Sequence, residues 1–145
     1  MAGYSGKPLA QKLGIKAGCS IFVDQAPENY RKLVEPLPEG VSIVPRLADK
    51  VDIVHIFSSE AKDLAKKLKQ FKKSIVENGM IWVSWPKKSA GVPTDVTEDV
   101  IREVALPLGL VDVKVCAVDE VWSGLKLVIR RENRKNDKQR RLDDE

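Results

Sequence analysis

The sequence is short of the residues from which many active sites are built. Its 145 residues include one histidine, His55, and two cysteines, Cys19 and Cys116. Two cysteines with one histidine leave a metal site without companions, and no Ser-His-Asp or Cys-His arrangement can be assembled. No metal is expected. Both cysteines fall in apolar stretches, where a small buried core residue is the ordinary role. A disulfide is not expected in a reducing compartment. No apolar run approaches the about 20 residues that a membrane helix needs, so no membrane partner is expected. Residues 1–6 lack the apolar region of a secretory signal, and the expected location is the cytoplasm. A glycine-rich loop is missing as well. The first strand-like stretch is followed by Gln25-Ala26-Pro27-Glu28-Asn29.

What is present suits one domain. A chain of this length buries about 68% of its unfolded surface on folding, and a hydrophobic content of 43% can supply that core. The net charge is +4, and residues 130–145 carry seven Lys/Arg against five Asp/Glu, or +2 of it. The remaining +2 belongs to a nearly balanced body, so the basic pI is weak support for a nucleic-acid partner. We read residues 1–131 as a single α/β domain. Residues 132–145 read as a charged tail, which is expected to be disordered because Leu142 is its only apolar residue.

The hydrophobic pattern alternates between the two periods. Pro8 to Leu13 predicts a helix stopped by a left-handed Gly14. Strands are predicted at about 19–24, 41–44, 51–57, 80–85, 111–118 and 125–129. Helices are predicted at 27–35, at 60–77 with Asn78-Gly79 as its stop, and from a cap at Thr94 or Asp95 to about Ala105. Trp82 and Trp85 are three positions apart and should face opposite sides of their strand. Asp119 to Gly124 is too short for a helical crossover, so the last two strands form an antiparallel hairpin. The fold class is a three-layer α/β sandwich with a Rossmann-like, mostly parallel six-stranded sheet.

Leu13-Gly14-Ile15-Lys16-Ala17-Gly18, the following apolar strand and Asp24 resemble the opening of class I S-adenosylmethionine methyltransferases. Val51-Asp52-Ile53-Val54 and Asn78-Gly79-Met80-Ile81-Trp82-Val83 are similar to later strands of that fold. One strand between residues 45 and 51 would be missing. The family follows its first strand with Gly-x-Gly, which lets the backbone approach the cofactor. Here Gln25-Ala26-Pro27 has no glycine, and Pro27 lacks a backbone donor. The family usually offers an acid at the end of its second strand, where this chain has Pro45 and Arg46. The resemblance implies the fold with its glycine-rich loop lost, and no cofactor is expected.

The whole chain also resembles a family of short bacterial proteins, domain-of-unknown-function family 3052. The matching segments are Tyr4-Ser5-Gly6-x-Pro8-Leu9, Leu13-Gly14-Ile15-Lys16, Leu37-Pro38-x-Gly40-Val41 and Trp85-Pro86-Lys87-Lys88. Gly91-Val92-Pro93-Thr94-Asp95 and Trp122-Ser123-Gly124 extend the match, which covers residues 4 to about 131. This second resemblance carries no activity with it.

In a doubly wound sheet, ligands sit beyond the carboxyl ends of the strands at the switch point. A strand order of 2-1-3-4-6-5 lines that crevice with Asp24, Gln25, Ser58, Ser59, Trp85, Lys87 and Lys88. Ser89 and Thr94 stand in the loop that leads to the next helix. Ammonium groups, hydroxyls and free backbone donors there would suit a phosphate or carboxylate. His55, mid-strand between Val54 and Ile56, reads as a neutral core residue. Trp82 reads as core, whereas Trp85 is open between the core and the crevice rim, and Trp122, in the hairpin connection, between core packing and a cover for the sheet edge or a contact with a partner. Asp119 and Glu120 read as solvated turn acids. Three roles follow in order: a non-catalytic methyltransferase-like domain that binds a protein or other macromolecule, a binder of a small anion or nucleotide through Lys87 and Lys88, and a salt-sensitive nucleic-acid binder. The third would use Lys62, Lys66, Lys67, Lys69, Lys72, Lys73 and the basic tail.

Overall fold

The computed structural model describes residues 7–47 and 49–131. The charged tail at 132–145 lies outside the described residues. An unbroken run of β-branched apolar residues leaves a strand without a solvated side. Val51–Phe57 is such a run and forms β3, in which every residue except Asp52 is buried. β1 (Ser20–Asp24) lies parallel to β3 on one side and β4 (Ile75–Pro86) lies parallel on the other. β2 (Ser42–Val44) extends the parallel set beyond β1. β6 (Trp122–Ile129) runs antiparallel to β4, and β5 (Leu110–Ala117) pairs antiparallel with β6. The order is β2-β1-β3-β4-β6-β5, as expected from the sequence. Among the described residues none between Val44 and Val51 forms a strand, so β2 is the sheet edge.

Helices cover both faces of this sheet. α3 (Ala61–Phe71) and α4 (Glu98–Ala105) place Leu64, Leu68, Phe71, Ile101 and Ala105 against Val54, Ile56, Ile81 and Val83. α1 (Leu9–Lys12) and α2 (Tyr30–Val34) place Ala10, Tyr30 and Val34 against Ile21, Ile53, Phe57 and Trp82. Successive strand residues alternate between the two cores, as the pleat requires. Trp82 is fully buried, and its indole N–H donates to the Leu13 carbonyl at 2.9 Å. That bond pins the end of the short α1 to the sheet. Trp85 packs half-buried on the other face, against the α3–α4 core. No helix among the described residues is long and apolar enough to cross a membrane.

Several boundaries differ from the sequence expectation, β6 among them, which starts at Trp122 and not at Leu125; three others differ for a tertiary reason. The apolar period of α3 continues through Ile75, but the helix ends at Phe71 and a 3-10 turn follows at Lys72–Ser74. Ile75 instead pairs with Val51 as the first rung of β4. Asn78 and Gly79 therefore lie inside β4, where the register slips between Val51 and Ile53, and they do not stop a helix. The cap of α4 is Thr97, whose side chain accepts from Val100 N, and not Thr94 or Asp95. Those two side chains are drawn to the opening of α3 instead. α2 begins at Tyr30, three residues later than expected, because Pro27 to Asn29 form the turn that leads into it.

Gly79 is required by close approach at the bulge. A Cβ there would stand 2.8 Å from the Asp52 carbonyl oxygen and 2.9 Å from that of Val76. Both are backbone atoms that cannot swing aside. Gly79→Ala is expected to cost about 1–3 kcal/mol as an overpacking change, read as a lower urea midpoint. An unchanged midpoint would show that the bulge relaxes freely.

Candidate functional site

The chain leaves β1 toward α2 on one face and leaves β3 toward α3 on the other. Adjacent strands with opposite exits define the switch point, where a crevice must open. A cleft of about 340 Å³ lies there, lined by Gln25, Phe57, Ser58, Ser59, Glu60, Asp63 and Trp122. A second groove of about 360 Å³ runs past the ends of β1 and β2 and includes Ala26, Pro27, Glu28, Arg31, Val44 and Pro45. Gln25 borders the first and Ala26 and Pro27 border the second, so the turn after β1 divides them. Gln25 has φ of +58°. The left-handed conformation favoured by glycine is thus adopted by a residue with a side chain, at a cost of about 1–2 kcal/mol. The only carboxylate lining the second groove, Glu28, comes from this turn. The end of β2 offers Pro45.

Three of the side chains expected around the crevice, Asp24, Ser58 and Thr94, are committed within the protein. The Asp24 carboxylate pairs with Lys67, which also pairs with Asp63 at 2.8 Å. Burial works against the Lys67 charge, but the two carboxylates outweigh it and hold the ammonium above the usual lysine pKa. Ser58 Oγ donates to the Glu60 carbonyl at 3.2 Å. The Ser59 carbonyl accepts from Thr94 Oγ1 at 2.8 Å and from Asp95 N at 3.3 Å. Asp95 Oδ1 accepts from Ala61 N at 2.7 Å, so a carboxylate of the protein already occupies the first turn of α3. The Lys87 amide donates to the Val121 carbonyl at 2.8 Å, tying the end of β4 to the β5–β6 turn. Lys88 and Ser89 are exposed in a 3-10 turn.

Of the expected residues, Gln25, Ser58 and Ser59 line the cleft. Asp24, Trp85, Lys87, Lys88, Ser89 and Thr94 are not among its lining. Trp122, one of two tryptophans left open by the sequence, forms a wall. It meets Phe57 edge to face, with ring centroids 5.0 Å apart. Asp119 Oδ1 accepts from Val121 N and Trp122 N at 2.8 Å each, a turn carboxylate satisfied by backbone. The lysine face of α3 is partly spent, because Lys67 is ion-paired and Lys72 donates to the Leu108 carbonyl at 3.0 Å. Cys19 and Cys116 are free and half-buried. No cluster among the described residues could hold a metal ion.

Below the cleft floor is a polar chain that sequence reasoning missed. Tyr30 Oη lies 2.9 Å from His55 Nδ1, and His55 Nε2 lies 2.7 Å from Ser84 Oγ. All three side chains are buried, His55 and Ser84 completely. Burial lowers the His55 pKa to about 3 and raises that of the Tyr30 hydroxyl. The imidazole is neutral, and both its nitrogens are engaged. Phe57 stacks on it at 4.4 Å. The signal was partial: positions 82 and 84 share a face with 55, but only the packing of α2 brings Tyr30 over the ring.

A comparison with known families matches residues 10–131 to the family described as protein of unknown function, DUF3052. A search of curated proteins finds no match. Among solved structures, the chain is similar to a SAM-dependent methyltransferase from Aquifex aeolicus, with 12% identity over 88% of this chain and 91% of that one, at a TM-score of 0.63. It is similar to a ribosomal protein L11 methylase from Lactobacillus delbrueckii subsp. bulgaricus, with 10% identity over 84% and 75% of the two chains, at a TM-score of 0.55. It is also similar to a magnesium protoporphyrin IX methyltransferase from Synechocystis with bound SAM, with 9% identity over 83% and 74%, at a TM-score of 0.55. At such identities the likeness is one of fold.

The buried histidine has a measurable consequence. In the unfolded chain His55 titrates near 6.5, and in the fold near 3. Above the higher value both states are neutral and stability is complete. As pH falls from 6.5 toward 3, the unfolded chain takes up a proton that the folded chain refuses. Stability should then fall by up to about 1.4 kcal/mol per pH unit from this group. Urea unfolding across that interval should give a shallower pH slope for His55→Gln, by about one proton. Equal slopes in the two proteins would assign the acid sensitivity elsewhere.

Proposed function

We propose, for a chain that belongs to the DUF3052 family, that it is a non-catalytic methyltransferase-like domain acting as a binding module for a protein or other macromolecule. The observation that carries this reading is the turn at Gln25-Ala26-Pro27. In a fold of this kind an adenosyl ligand must cross the end of β1, against backbone free of side chains and with amides to offer. Here three side chains stand on that path between the two grooves. Pro27 removes a donor. The end of β2 presents Pro45 and then Arg46, a cation where the ribose hydroxyls need an acceptor.

Catalysis draws little support from the surrounding groups. His55 is sealed beneath Phe57, so it has no contact with a ligand in the cleft. Asp24 is held by Lys67. Anion binding at the Lys87 loop is also disfavoured, because α4, the helix that this loop leads to, has Glu98 and Asp99 in its first turn.

Titration with S-adenosylmethionine and S-adenosylhomocysteine tests the reading, followed by calorimetry and by melting temperature. A ligand with a dissociation constant of about 10 μM, supplied at about 1 mM, would stabilise the fold by about 2.7 kcal/mol. For a chain of this size that is a rise of several degrees. The expected result is no saturable heat and no such rise. Saturable binding of either compound would overturn the proposal.

A further inference from the structure

β5 and β6 differ sharply between their two faces. Toward α4 they bury Leu110, Leu125 and Leu127. On the opposite face, the interposed positions are Lys114 and Lys126, which sit directly across from one another in the antiparallel register. Like charges in that relation repel. α1 has only four residues and leaves this part of the sheet open. It brings further lysines to the margin: Lys12 in its last turn, and Lys7 and Lys16 on either side of it.

These lysines share one surface. Lys7, Gln11, Lys12, Lys114 and Cys116 line a groove of about 340 Å³. Lys126 is shifted below the ordinary lysine pKa by burial first, then by Lys114 and Lys16. Burial raises the Cys116 thiol pKa, while Lys12 and Lys114 pull against it. No carboxylate lines the groove. Lys7, Lys16, Lys114 and Lys126 take part in no ion pair among the described residues. Lys67 and Arg102, by contrast, are held by carboxylates. An uncompensated cross-strand lysine pair is a standing cost that a bound anion would relieve.

We propose that the groove between α1 and β5 binds a small polyphosphorylated anion. Ammonium groups are compact point charges that suit several phosphate oxygens at once. A concave site of this volume fits a small ligand. No aromatic side chain lines it, so it lacks the stacking platform on which single-stranded nucleic acids are held. The groove shares no residue with the cleft at the switch point, so its ligand and the outcome with S-adenosylmethionine are independent.

Inorganic tripolyphosphate is the probe, titrated into the full chain by calorimetry at low salt. Saturable binding is expected, weakening as salt screens the charges. Lys114→Gln combined with Lys126→Gln should reduce affinity about 10-fold or more, a loss of about 1.4 kcal/mol. The same double variant should melt at a higher temperature than the parent when ligand-free, because the cross-strand repulsion is gone. Lys62→Gln with Lys66→Gln, on the exposed face of α3, should leave affinity unchanged. Absence of binding at low salt, or equal affinity in the groove variant, would overturn the proposal. So would an oligonucleotide that binds through these lysines and is not displaced by tripolyphosphate.

Discussion

The structure depends on β3 being buried on both faces. A strand in that position needs a cover above and below, and helical cover on both faces goes with parallel neighbours. β1 and β4 supply the pairing. α3 covers one face, and α2 with the end of α1 covers the other. His55 is the one strongly polar side chain in the middle of that strand, so it must be neutral and hydrogen-bonded. Tyr30 and Ser84 meet the need from a helix and from the adjoining strand. The polar chain is thus a structural consequence of where β3 sits, and it anchors α2 over the cleft floor.

The methyltransferase-like architecture and the turn after β1 rest on different parts of the structure. The sheet order and the helix layers rest on apolar burial. A ligand path rests on a few backbone positions after β1 and on unsatisfied groups at the helix openings. In this chain those positions carry side chains and a cap. Gln25 keeps the left-handed backbone but projects a side chain, Pro27 lacks a donor, and Asp95 caps α3 from another loop. Each of these features is local and lies outside the core.

Charge is sorted by the fold in a way that its total does not reveal. Lys67 in the lysine-rich helix and Lys72 in the turn that follows it are held to the rest of the protein by an ion pair and a carbonyl. Lys114 and Lys126 lie on consecutive strands, distant in sequence from α1. The hairpin register sets them opposite one another, and the shortness of α1 leaves them uncovered. A basic surface is therefore built from three separate segments.

Periodicity was sufficient to read the layers, the strand order, the closing hairpin and the opposed faces of Trp82 and Trp85, because each is a repeated local pattern of apolar positions. The missing glycine after β1 was legible for the same reason, since backbone freedom is a property of single residues. Periodicity misplaced the end of α3, where Ile75 satisfies helix and strand patterns alike and pairing with Val51 decides. It misplaced the cap of α4, because Thr94 and Asp95 have partners in another element. It gave no sign of the left-handed Gln25, the Tyr30–His55–Ser84 chain or the lysine groove. Those depend on side chains meeting across long stretches of sequence, and only packing in three dimensions determines which of them meet.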